Sequence, residues 1–79
     1  MGYHLTEIEK GELGEFSKIK EEFLEAKDSF AQGNPIMTLL ELSDLIGAIE
    51  AYAINHNMSL EDIIKMKDAT KRAFKVGRR

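Results

Sequence analysis

The sequence has no cysteine, no tryptophan and a single proline, and its aromatic set is two tyrosines and four phenylalanines in 79 residues. Without thiols there is neither a disulfide framework nor a thiolate zinc site. No apolar run is long enough for a membrane span, and no secretory leader is recognisable at the start; the expectation is a soluble cytoplasmic protein with no membrane partner. A glycine-rich phosphate loop is missing, so a nucleotide site of the P-loop kind is excluded. Nor does any serine stand in a constellation that would make it a nucleophile.

What remains is one small domain, residues 1–79, with a core too thin to be comfortable alone. Without disulfides, such chains commonly gain stability by oligomerising or by holding a metal. Net charge is −3, but it is unevenly spread. Residues 1–64 carry 13 acids against 4 basic residues, whereas residues 65–79 carry 7 basic residues against Asp68. The basic end is a single short stripe with no interleaved aromatics, which argues against nucleic acid.

Residues 1–11 show no sustained period and read as an extended N-terminal arm, with Tyr3, Leu5 and Ile8 spaced as anchors. His4 has no second ligand at helical spacing and reads as solvated or packed. From about Leu13 or Glu15 to Gln32, Phe16, Ile19, Phe23, Ala26 and Phe30 recur every three or four residues. That spacing predicts an amphipathic helix with this stripe inward. Lys18, Glu22, Glu25 and Ser29 form the polar stripe beside it.

Gly33-Asn34-Pro35 is a stop-and-restart signal, with Asn34 as cap and Pro35 at the first position of a second helix. This second helix, to about Ile54, is apolar nearly all round and reads as central and buried. Asn55-His56-Asn57 ends it. Ser59 and Asp62 then form a capping box for a third helix. Ile63, Met66, Thr70, Ala73 and Phe74 are its expected inward face, Lys65, Arg72 and Lys75 its basic face, and residues 76–79 a basic tail.

Counted from Gly33, Glu25 and Glu41 each lie eight residues away, and Glu22 and Asp44 each lie eleven. At the helical rise these pairs match in height, about 12 Å and about 16 Å from the turn. Four carboxylates can thus converge between two antiparallel helices. On the first helix, acids on a polar face need no special explanation. On the second they are anomalous, because two buried carboxylates one turn apart need a counter-ion or a cation. Lysines of the first helix are one way to neutralise them; a metal is the other. Gly47, Ala48 and Ala51 nearby leave room for a ligand, or equally for close packing between subunits.

Four hard oxygen donors suit Mg²⁺, or Mn²⁺ in its place, rather than zinc. Di-iron chemistry is disfavoured, since no histidine follows Glu22 or Glu41 by three. A Mg²⁺ cluster has a natural partner in polyphosphate, with the basic face of the third helix as countercharge.

At these acids the chain resembles the MazG-like all-α NTP pyrophosphohydrolases, in their short stand-alone bacteriophage form. Their Glu-Glu-x-x-Glu and Glu-x-x-Asp signatures stand here as Glu21-Glu22-Phe23-Leu24-Glu25 and Glu41-Leu42-Ser43-Asp44. The likeness runs from about Gly11 to Gly77. It implies an all-α fold: an antiparallel helical hairpin plus a third helix, joined into an oligomeric bundle. It also implies Mg²⁺-dependent hydrolysis of a (d)NTP between the α and β phosphates, giving a (d)NMP and pyrophosphate. By that resemblance Glu22, Glu25, Glu41 and Asp44 are metal ligands, and Glu21 is an auxiliary acid that, with Glu22, orients water. Lys18, Lys65, Arg72, Lys75 and Arg78 are its substrate contacts. Ala69 stands where such enzymes often have the asparagine that contacts the sugar. Homodimers or dimers of dimers are implied, in the host cytoplasm if the chain is phage-encoded.

Two other readings stand beside this one. Lys18 ahead of the acid pair resembles the lysine at that position in the related phosphoribosyl-ATP pyrophosphohydrolases, and that likeness implies a phosphoribosyl-ATP or modified-nucleotide pyrophosphohydrolase. The acids can also make structural salt bridges in a non-catalytic helical dimer. Tyr3, Phe16, Tyr52 and Phe74 are candidates for stacking on a base, although core packing explains them as well.

Overall fold

The computed structural model describes residues 4–75 and Gly77. Tyr3, Arg78 and most of the basic tail lie outside them. All regular structure among the described residues is helical: α1 (Phe16–Ala31), α2 (Pro35–Asn55) and α3 (Leu60–Lys75).

The α1–α2 turn is built from its own backbone. Gly33 at φ 73° donates to Phe30 O at 3.0 Å, and Asn34 N donates to Ser29 O at 3.2 Å. This is a Schellman cap, which needs a left-handed residue after the helix. The Asn34 side chain then accepts from Met37 N at 3.1 Å to start α2, with Pro35 at a position where its missing N–H costs nothing.

The second connection repeats the device with Asn57 at φ 62°; Met58 N reaches Ala53 O at 2.8 Å. Ser59 and Asp62 close their capping box, with bonds of 3.0 and 3.1 Å. The helix boundaries expected from capping therefore hold to within a few residues.

α1 and α2 pack along one another as an antiparallel hairpin. At its open end Asn55 donates to Gly14 O at 3.0 Å, and the Phe16 and Tyr52 rings meet edge-on, 6.1 Å apart. Among the described helices α3 packs on α2 and not on α1.

Which faces are covered differs from expectation. Of the expected inward stripe of α1, Ala26 is buried and Ile19 half-buried, but Phe16, Phe23 and Phe30 are exposed, and Glu21, Glu22, Asp28 and Ser29 are buried in their place. α2 is not enclosed either. It buries Glu41, Ala48 and Ala53, while Ile36, Leu39, Leu40, Leu42, Ile46 and Ile54 are exposed. On α3 the expected inward Met66 and Phe74 are exposed, with Ile63 and Thr70 half-buried.

The physical reason is that small residues on α2 let the acid-bearing face of α1 approach closely. Only alanines (Ala26, Ala48, Ala53) make up the fully buried apolar set among the described residues. The bulky apolar stripes face away from this seam. No helix among the described residues is long and apolar enough to cross a membrane.

Residues 4–12 lie along α1 as a strap. Of its expected side-chain anchors Leu5 is exposed and Ile8 half-buried, and the strap is held by backbone groups and the His4 ring. Leu5 N donates to Asp28 Oδ2 at 2.7 Å and Thr6 N at 3.5 Å. Two turns back along α1, Gly11 N donates to Glu21 Oε1 at 2.8 Å.

Candidate metal centre

The seam between α1 and α2 is acidic, as the equal spacing from Gly33 requires. Carboxylate oxygens of Glu22, Glu41 and Asp44 lie within 4.8 Å of one another, as do those of Glu21, Glu22 and Glu25. A third such group joins Glu25 and Glu41 to a ring nitrogen of His4. The four expected ligands therefore meet in overlapping triads that share Glu22, Glu25 and Glu41.

Their burial departs from the sequence reading. Glu41 is 1 % exposed and Glu22 6 %, Glu25 is half-buried, and Asp44 is exposed. The anomalous pair is one acid from each helix, Glu22 and Glu41, and not the two acids of α2. Asp44 stays exposed, on a flank of α2 that no element among the described residues covers.

Each acid has a distinct electrostatic position. Lys18 Nζ stands 3.1 Å from both Glu21 Oε1 and Glu22 Oε2. Those bonds, to Glu22 first and then Glu21, raise the Lys18 ammonium above its usual range. Burial pushes Glu21 upward, but the Gly11 N–H and Lys18 outweigh it, and the carboxyl ends below its ordinary value. Lys10 adds a longer contact to Glu21 at 3.6 Å.

Glu25 moves the other way. Burial first, then the Glu22 charge and a hydrogen bond with Glu41, push it up to about 7. Like charges crowded in a desolvated seam hold a proton that a cation can replace. Glu22 Oε1 is buried with no hydrogen-bond partner, a state that costs about 1–3 kcal/mol. An orphaned, desolvated carboxylate oxygen between two other acids fits a hard divalent cation, so Glu22, Glu25, Glu41 and Asp44 are suited to Mg²⁺ or Mn²⁺.

Lys18, expected to contact substrate, is committed to the two acids of its own helix. Glu21, expected to orient water, holds Lys18 and the strap. The cations of α3 are not gathered here: Lys65, Arg72 and Lys75 are exposed, on a helix that packs against α2 and not α1. Arg78 lies outside the described residues. Of the stacking candidates, Phe16 packs on Tyr52, which in turn lies 4.3 Å from the His56 ring.

One residue of the seam, Asp28, went unread in the sequence, and another, His4, was read only as solvated or packed. Asp28, 5 % exposed, gathers the strap through Leu5, Thr6 and the His4 ring, whose Nδ1 is 3.0 Å from Oδ2. His4 is neither solvated nor merely packed, since its Nε2 lies 3.4 Å from Glu41 Oε2. A signal for Asp28 existed, because it continues the Glu21, Glu25 row at helical spacing. For His4 there was none, since its partners lie more than twenty residues away. Ser29 Oγ is also buried in the seam face of α1 with no hydrogen-bond partner.

No family model matches the chain, and no curated protein or solved structure matches it.

Proposed function

We propose that the chain is a Mg²⁺-dependent nucleoside triphosphate pyrophosphohydrolase of MazG-like type, cleaving a (d)NTP between the α and β phosphates to a (d)NMP and pyrophosphate. The observation that carries this is the seam itself. Glu22 and Glu41 are buried from opposite helices, Glu22 Oε1 is unpartnered, and Glu25 is pushed up to about 7. Two acid motifs facing each other across a helical hairpin are what the resemblance implies.

When bound, the cation supplies countercharge to the phosphate oxygens and polarises the phosphorus towards water. Glu22, Glu25, Glu41 and Asp44 hold it. Glu25, pushed up to about 7 in the metal-free chain, would give up its proton as the cation binds. Lys18 moderates the charge of Glu21 and Glu22, so that several carboxylates can be buried together without metal. Asp44, exposed on the open flank of the seam, marks the side from which a triphosphate enters.

Assembly belongs to the same proposal. Exposed Phe16, Phe23 and Phe30 on α1, with Ile36, Leu39, Leu40 and Ile46 on α2, form more apolar surface than a small monomer keeps open. A homodimer or dimer of dimers covers it, and brings the Lys65, Arg72 and Lys75 face of one chain within reach of another chain's seam. A cytoplasmic enzyme without membrane or nucleic-acid partners is the corresponding setting.

The phosphoribosyl-ATP or modified-nucleotide alternative rests on Lys18 and is separated by substrate preference. The non-catalytic dimer is separated by experiment. Pyrophosphate release is measured over a panel of common and modified (d)NTPs and phosphoribosyl-ATP with Mg²⁺. Release that Glu41→Gln reduces by about 100-fold or more supports the proposal. Undiminished turnover in that variant, or no turnover and no Mg²⁺ effect on melting, rejects it.

A further inference from the structure

The strap brings a nitrogen donor into an otherwise all-oxygen site. His4 Nδ1 is 3.0 Å from the buried Asp28 Oδ2, and Nε2 is 3.4 Å from Glu41 Oε2. Each ring nitrogen thus stands against a buried carboxylate. Nε2 is the ring atom turned towards the acid seam. Carboxylate–histidine pairs of this kind orient the histidine ligands of metal sites and raise their basicity. The ring is also firmly placed, because Asp28 takes the backbone N–H of Leu5 at 2.7 Å and of Thr6 at 3.5 Å as well.

We infer that His4 is a ligand of the cation site, forming with Glu25 and Glu41 a nitrogen-containing subsite that favours a divalent transition ion such as Mn²⁺ over Mg²⁺. Its ring nitrogen and the oxygens of Glu25 and Glu41 lie within 4.8 Å of one another. The orphaned Glu22 Oε1, on a side chain 8 % exposed in the adjoining triad, is an independent observation in favour of a cation at the seam. Imidazole suits first-row transition ions, whereas Mg²⁺ keeps to oxygen and water. Asp28 is then a positioning residue that acts through His4. The inference rests on the metal reading above, extends it to a residue outside the acid motifs, and gives the strap a chemical role.

The test is Mn²⁺ binding by the full chain, followed by calorimetry and by electron spin-echo modulation, which detects nitrogen bound to Mn²⁺. Only His4 and His56 can supply an imidazole. The expected result is nitrogen modulation in the wild type and in His56→Asn, lost in His4→Asn. His4→Asn should weaken Mn²⁺ by about tenfold or more and Mg²⁺ by less than about threefold. Asp28→Asn should weaken Mn²⁺ by several-fold with the ring retained.

Mn²⁺ that binds in a Glu41-dependent way without nitrogen modulation overturns the inference and leaves the acid site standing. Modulation that vanishes with His56 instead overturns it as well. No binding of either ion to the wild type rejects the metal reading itself. The spin-echo result on the wild type does not depend on whether any variant folds.

Discussion

Gly11 and Glu21 are joined by a 2.8 Å hydrogen bond that only a residue without a side chain can make. A Cβ at Gly11 would stand 2.2 Å from Ser17 O and 2.5 Å from Lys18 N, both backbone atoms. Neither atom can yield without distorting the first turn of α1. Gly11→Ala should therefore cost about 1–3 kcal/mol, lowering the melting temperature, and should speed amide exchange of Leu5 and Thr6. A variant that melts with the wild type and keeps those amides protected would show that the strap is not held at Gly11.

The pH dependence of the metal-free protein follows from Glu25. Its carboxyl is raised to about 7 from an ordinary 4.5, chiefly by burial and then by the Glu22 charge. A raised folded-state value means that the native state binds the proton more tightly than the unfolded chain. This contribution is complete below about 4.5 and is lost as pH rises to about 7. Melting temperature should fall across that window, and Glu25→Gln should flatten the fall. Glu21, lowered instead, acts below its ordinary value, and Lys18, raised, acts above 10.5, so neither masks the effect. Saturating Mg²⁺ should remove it, and a slope indifferent to Mg²⁺ would count against a cation at Glu25.

Self-association should depend on the outward stripe of α1. Phe23 and Phe30 are 53 % and 75 % exposed, although their spacing is that of a buried face. Phe23→Glu should shift the sedimentation profile towards monomer and make melting independent of concentration. Wild-type protein that is monomeric at millimolar concentration would contradict this.

Gly33 offers a cleaner measurement of backbone strain. At φ 73° it has nothing within 4 Å of where a Cβ would lie. Gly33→Ala should therefore cost only the left-handed penalty, about 1–2 kcal/mol, with pyrophosphate release unaltered below the melting range. A larger loss would mean that the turn carries contacts in an assembled form.

Much of this molecule is readable from the chain because its boundaries are local. Gly33, Asn34, Pro35, Ser59 and Asp62 act on residues three or four positions away, and the helices begin and end where they dictate. The convergence of Glu22, Glu25, Glu41 and Asp44 was also legible, since a rigid rise converts equal counts into equal heights. Direction was not. Periodicity shows that Phe16, Phe23 and Phe30 share a face, but not whether this chain or another covers it. His4 was illegible for a different reason. An extended strap has no period to place it, and its partners Asp28 and Glu41 are reached only through the tertiary fold.

The closeness of His4 to the acid seam has a practical corollary for anyone purifying the chain. A run of histidines fused ahead of Met1 would begin four residues from a ring that already lies 3.4 Å from Glu41. Those added imidazoles would compete for the same carboxylates and ions, imitating or concealing native coordination.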